Sequence, residues 1–155
     1  MLNGYKKLII PAVNSLGRRK ERRRFPGAPV VIGGAGRSGT TLLLSILDAH
    51  PRLYCFSEQI GMFREWDRVE GPDGAPREVP RRIDRLYRWL LTHRIPRQAV
   101  RWCEKTPHNV RYFRQILEYY HEEVRLIHLI RDGRDVVTSR HPYKPDRYWV
   151  PVSRW

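Results

Sequence analysis

Hydrophobic and polar positions change period along the chain, and each change marks an element. Val30-Val31-Ile32 is a short β-branched run closed by Gly33-Gly34, the pattern of a buried strand. Leu43, Leu44, Ile46 and Leu47 follow at helical spacing and predict a helix from Thr40 to Ala49. Pro51 disfavours helical geometry at His50 and stops it there. Arg52 to Phe56 reads as a second short strand, and Glu58 to Trp66 as weakly helical. Val69 to Pro80, with three prolines and two glycines, has the composition of a surface loop. Ile83, Leu86, Tyr87, Leu90 and Leu91 form one helical stripe. Val100 to Cys103 predicts a strand. Thr106-Pro107 then opens a helix, with a capping hydroxyl followed by proline at the first helical position. Val110, Phe113, Leu117 and Tyr120 give that helix a buried stripe. Val124 to Ile130, including His128, reads as a buried strand; a turn over 131–135 and a helix over Asp135 to Arg140 follow.

Strands alternating with helices predict an α/β fold, a parallel sheet with crossover helices in three layers. Ligands of such sheets gather at the carboxyl ends of strands. The glycine-rich turn after Ile32, Lys105 and Arg131 each follow a predicted strand, so one sheet edge groups them.

The turn itself carries candidate chemistry. Gly33-Gly34-Ala35-Gly36-Arg37-Ser38-Gly39-Thr40-Thr41 passes from strand to helix. A loop of this kind aims consecutive backbone N–H groups at one point, where the helix dipole adds roughly half a positive charge. That point suits a phosphate-like anion. A triphosphate-binding P-loop reads G-x-x-x-x-G-K-[ST]. Gly34 and Gly39 supply its glycines and Thr41 its hydroxyl, but Thr40 stands where the lysine belongs. The exchange argues against ATP or GTP hydrolysis. Arg37 instead offers a planar fork of donors inside the loop.

Composition adds limits. The chain has 155 residues, enough for one domain with a real core. No apolar run approaches the ~20 residues of a membrane span, and the segment Leu8 to Val13, interrupted by Pro11, does not read as a signal peptide. The net charge is +14, and residues 1–28 hold eight Lys/Arg against Glu21 alone. Those residues read as a basic N-terminal arm, solvated and poorly ordered, that could also touch an acidic membrane surface. Residues 29–155 read as the folded domain. A specific nucleic-acid partner is not indicated. The two cysteines, Cys55 and Cys103, and the six scattered histidines have no metal-ligand spacing, so no metal is expected.

Three motifs in order resemble sulfotransferases that use 3′-phosphoadenosine 5′-phosphosulfate (PAPS), most closely the tyrosylprotein sulfotransferases and related bacterial enzymes. Arg37-Ser38-Gly39-Thr40-Thr41-Leu42 is similar to that family's 5′-phosphosulfate loop. Glu104-Lys105-Thr106-Pro107 is similar to its lysine motif, and Ile130-Arg131-Asp132-Gly133-Arg134-Asp135-Val136-Val137-Thr138-Ser139 to its 3′-phosphate segment. Leu47-Asp48-Ala49-His50-Pro51, then Cys55 and Glu58, resembles its continuation of the loop helix.

The resemblance implies a P-loop-like sulfotransferase topology, incomplete at its C-terminal end, with PAPS as co-substrate and a hydroxyl-bearing acceptor. Gly36, Arg37, Ser38, Gly39, Thr40 and Thr41 would hold the 5′-phosphosulfate, and Arg131 and Ser139 the 3′-phosphate. Lys105 falls where the family stabilises the transition state, and Glu58 where it places the base. His108, three residues past Lys105, is the rival base. Cys55 and Cys103 fall where the family forms a disulfide; read by themselves they are small buried apolar residues. Tyr148, Trp149 and Trp155 are weighed as a cover over the nucleotide. Ile60 stands where the family has an arginine two places after the base, which leaves tyrosine, sugar and small alcohol open as acceptors, and Tyr143 stands where it has a further 3′-phosphate arginine. Two other functions stay open: a kinase-like P-loop enzyme, and a non-catalytic relative that binds anions or lipid surfaces. The expected location is cytoplasmic or membrane-peripheral.

Overall fold

A computed structural model describes residues 2–141 and 143–148, and the side chains from residue 9 onward except that of residue 145. Its centre is a parallel sheet of four strands: β1 (Val30–Gly34), β2 (Leu53–Cys55), β5 (Arg101–Lys105) and β6 (Arg125–Leu129), in the order β2-β5-β1-β6. Register sets Ile32 beside Lys105 on one side of β1 and beside Ile127 on the other.

Successive side chains of a strand point to opposite faces, and β1 shows what this does. Val30 and Ile32 pack with Cys55, Cys103 and Leu44, under helix α2 (Thr40–Asp48). Val31 faces a larger cluster with Phe56, Phe63, Leu86, Leu90 and Trp102. That second face is covered by α1 (Leu2–Arg24), α3 (Asp84–Thr92) and α4 (Phe113–Tyr119). The three layers match the α/β expectation.

Several local expectations differ. Glu58 to Glu65 is irregular rather than helical, and Trp66 opens a strand. Ile60, Met62 and Phe63 are buried almost in succession, a pattern that no single helix face can supply. Gly61 adopts φ 61°, and Arg85 Nη1 donates to the Ile60 and Gly61 carbonyls at 3.1 and 3.3 Å. The stretch read as a surface loop is an antiparallel hairpin, β3 (Trp66–Glu70) and β4 (Pro76–Pro80). Its turn residues were legible, but Pro76 and Pro80 sit at strand ends, where a missing N–H costs little.

Thr106 does not cap the following helix. Its hydroxyl goes to Glu104, and the chain runs as a 3₁₀ turn over Pro107–Tyr112 before α4. The inward residue of α4 is Ile116, while Leu117 is 36% exposed. His128 is exposed because β6 is an edge strand; its ring meets Phe113 edge to face. The last helix is α5 (Gly133–Val137), followed by a small hairpin, β7 (Arg140–His141) and β8 (Lys144–Tyr148). Tyr148 is 56% exposed; Trp149 and Trp155 lie outside the described residues.

The basic N-terminal segment, read from its charge as solvated, is a helix laid along α3. A β-carbon on Gly17 would lie 2.1 Å from Tyr87 Cβ, so the glycine permits the approach. Arg18 Nε donates to the Tyr87 hydroxyl at 3.5 Å, and Glu21 Oε1 accepts from Trp102 Nε1 at 2.8 Å. Among the described residues no helix is long and apolar enough to cross a membrane.

Candidate active site

The glycine loop leaves β1 at the carboxyl edge of the sheet and turns into α2. Two residues make the turn in left-handed geometry: Arg37 at φ 69° and Gly39 at φ 95°. Left-handed geometry suits glycine and is unusual for arginine. The glycines serve different ends. A β-carbon on Gly33 would meet the Val110 backbone N at 2.5 Å, and one on Gly34 would meet the Leu129 carbonyl O at 2.5 Å. One on Gly36 would meet nothing within 4 Å. Gly33 and Gly34 therefore permit packing, whereas Gly36 borders open space.

Three segments converge on this loop. Arg131, just past β6, donates from Nη1 to the Arg37 carbonyl at 3.0 Å. Ser139, beyond α5, accepts from Arg37 Nε at 2.9 Å. Lys105, at the end of β5, donates from Nζ to Thr41 Oγ1 at 3.2 Å. The lysine missing from position 40 thus has a counterpart delivered by the neighbouring strand. Lys105 is 6% exposed; burial lowers its pKa, and the adjacent Glu104 charge opposes that shift. Thr40 is buried. The Ser38 hydroxyl is buried and has no partner among the described residues. The N-terminus of α2 has no side-chain cap, which leaves its first amides free for an anion.

The structure brings two bonded groups to the one loop, Lys105 with Thr41 and Arg131 and Ser139 with Arg37, and Gly36, Ser38, Gly39 and Thr40 belong to the same loop. Glu58 and His108 are exposed and stand outside both groups. Glu58 borders a cavity of about 490 Å³ walled by Arg85, Arg88, Trp89 and His93, which no loop residue lines. A larger cavity, about 970 Å³, lies between α1, the β3–β4 hairpin and the end of α4.

Cys55 and Cys103 are register partners on adjacent strands, and both are free buried thiols. The Cys55 thiol and burial push the Cys103 pKa well up. Among the described residues no group of three His, Cys, Asp or Glu is placed to hold a metal.

The sequence places Glu104 in the lysine motif without a role of its own, and Asn109 carries no signal by itself. Both are buried, at 0% and 1% exposure, and they bond each other. The available signal was a glutamate continuing an apolar strand into Lys-Thr-Pro-His-Asn.

A parallel sheet with a glycine loop between its central strand and a helix places the chain among P-loop-like α/β domains. The model of the Sulfotransferase family matches residues 29–144, and the chain belongs to that family. A Caenorhabditis briggsae protein assigned as a protein-tyrosine sulfotransferase is 32% identical over 134 residues, 80% of this chain and 45% of that protein. Protein-tyrosine sulfotransferase A of Caenorhabditis elegans is 29% identical, over 71% of this chain and 32% of its own length. The protein-tyrosine sulfotransferase of Drosophila melanogaster is 27% identical, over 71% of this chain and 24% of its own length. The chain thus spans less than half the length of each of these relatives.

Proposed function

We propose that this chain carries the donor-binding half of a sulfuryl transfer from PAPS to an acceptor hydroxyl. The observation that supports it most is the convergence of Lys105, Arg131 and Ser139 on the glycine loop, where each is hydrogen-bonded to Arg37 or Thr41. On this reading the amides from Gly36 to Thr41, the Ser38, Thr40 and Thr41 hydroxyls and Arg37 hold the 5′-phosphosulfate. Arg131 and Ser139 hold the 3′-phosphate and distinguish PAPS from ATP. One charge-assisted bond of this kind is worth ~1.5–3 kcal/mol, or about ten- to hundredfold in affinity.

Sulfuryl transfer resembles phosphoryl transfer in needing in-line geometry and dispersed negative charge. PAPS supplies the activated sulfuryl group when bound. Lys105 neutralises charge on the departing bridging oxygen from a site of low polarity, where its field is strong. Glu58 takes the acceptor proton, with His108 as the rival base. The named activity of these relatives favours a protein tyrosine as acceptor. Sugar and small-alcohol acceptors are the alternatives.

The test is a thermal-shift titration with 3′-phosphoadenosine 5′-phosphate (PAP), ADP and ATP, with and without Mg²⁺. Metal-independent stabilisation by PAP, reduced at least tenfold in affinity by Arg131→Ala, is the expected result. ATP binding that requires Mg²⁺, with no PAP response, would favour a kinase-like enzyme.

A further inference from the structure

Glu104 is completely buried, yet it is surrounded by donors. Thr106 Oγ1 donates to Oε1 at 2.5 Å, and Asn109 Nδ2 donates to Oε2 at 2.5 Å. The Gly61 backbone amide faces the same carboxylate and favours its ionised form, against the burial that raises its pKa. Asn109 Nδ2 also donates to the Ile32 carbonyl of β1 at 3.2 Å. Glu104, with its partner Asn109, therefore connects three segments: the loop that carries Glu58, the turn after Lys105, and the strand that delivers the glycine loop.

A carboxylate suits this position because all three neighbours are donors and an ionised carboxyl only accepts. Burial disfavours the charge, so an apolar side chain would serve packing more cheaply. Glu104 and Lys105 are consecutive in a strand and leave it on opposite faces. Glu104 is thus turned away from the open side of the loop and acts on the chemistry through its neighbours. Arg85 holds the same Gly61 segment from α3, and Phe56 N ties the start of the loop to the Cys103 carbonyl of β5 at 3.0 Å, so Glu104 acts on the Gly61 end.

We infer that Glu104 is a positioning residue that fixes the spacing between Lys105 and the Glu58-bearing loop. This rests on the sulfotransferase reading above. Glu104→Gln keeps the volume but turns an amide NH₂ toward a donor. The assay set on the full chain is amide hydrogen exchange at Gly61, PAP thermal shift, and transfer from PAPS to a tyrosine-containing peptide. Exchange at Gly61 should speed up at least tenfold and kcat should fall at least tenfold. PAP affinity and KM for PAPS should stay within twofold.

Thr106→Val and Thr106→Ser give the same test without touching the carboxylate. The valine variant should lose kcat and the serine variant should keep it. Unchanged Gly61 exchange and kcat in Glu104→Gln would overturn the inference, as would kcat, PAP affinity and global stability falling together in both Glu104→Gln and Thr106→Val. A wild-type chain with neither PAP stabilisation nor transfer would overturn the underlying reading instead.

Discussion

Gly33 and Gly36 lie three positions apart in one loop, and methylation should affect them in opposite ways. In Gly33→Ala the new carbon lies 2.5 Å from the Val110 backbone N and 2.9 Å from the Phe113 ring. The backbone N cannot rotate aside, so the 3₁₀ turn must move off β1. Overpacking of this kind costs about 1–3 kcal/mol. Taking about 2 kcal/mol, and about 2–4 °C per kcal/mol for a chain of this size, Tm should fall by about 4–8 °C. The shift also disturbs Asn109, the turn's link to β1 and Glu104. In Gly36→Ala the carbon meets nothing within 4 Å, and Gly36 is not among the residues at positive φ. Its Tm should change little or rise slightly, because alanine narrows the unfolded ensemble. The methyl would instead crowd the side of the loop assigned to the phosphosulfate, and PAP affinity should fall at least tenfold. Differential scanning fluorimetry with and without PAP reads both effects. Equal Tm losses in the two variants would refute the division of labour between these glycines, as would a Gly33→Ala chain as stable as wild type.

Lys105→Met keeps the stem and removes the charge; turnover should fall by about 10²–10³, while PAP, which lacks the sulfuryl group, binds within a few-fold. A parallel loss of PAP binding would place Lys105 in nucleotide recognition instead. Burial raises the Glu21 pKa more than its bond from Trp102 lowers it. Above the ordinary glutamate value of 4.5 and up to the folded value, the native chain then binds more protons than the unfolded one, so this carboxyl makes stability fall as pH rises. Glu21→Gln should flatten that fall in urea denaturation between pH 4.5 and 7; an unchanged slope would show that Glu21 titrates as in the unfolded chain.

The strands and loop were legible because their signals are local. Val30 to Ile32 is β-branched, and the glycines of the turn follow at once. The misread segments depend on partners distant in sequence. Glu58 to Trp66 looks helical by composition, but its form is set by Arg85 and by the Glu104 carboxylate. The hairpin was hidden because its two strands are largely exposed and carry little hydrophobic pattern. Thr106-Pro107 carries a true helix-start signal, and a stronger acceptor two residues earlier claims the hydroxyl. The basic segment showed its charge, while its packing depends on Gly17 meeting Tyr87. At the site, the glycine loop, Lys105 and Arg131 were grouped by sheet-edge logic and Ser139 by the resemblance; the structure bonds Lys105 to Thr41, and Arg131 and Ser139 to Arg37. Glu104 was passed over because its role appears only when Gly61 and Asn109 are brought beside it.

The side-by-side register of Ile32 and Lys105 makes ligand binding a gauge of assembly. A peptide spanning the glycine loop would hold the amides and Arg37 but not the ammonium, which arrives from 64 residues away. A slip of one residue between β1 and β5 would turn Lys105 to the opposite face and strand Thr41 without its cation. Any ligand that needs both groups binds only the correctly zipped sheet, and mass action then favours that arrangement over its misaligned neighbours. The donor nucleotide, on this reading, doubles as a folding template, so chains matured in its presence should contain fewer misregistered copies.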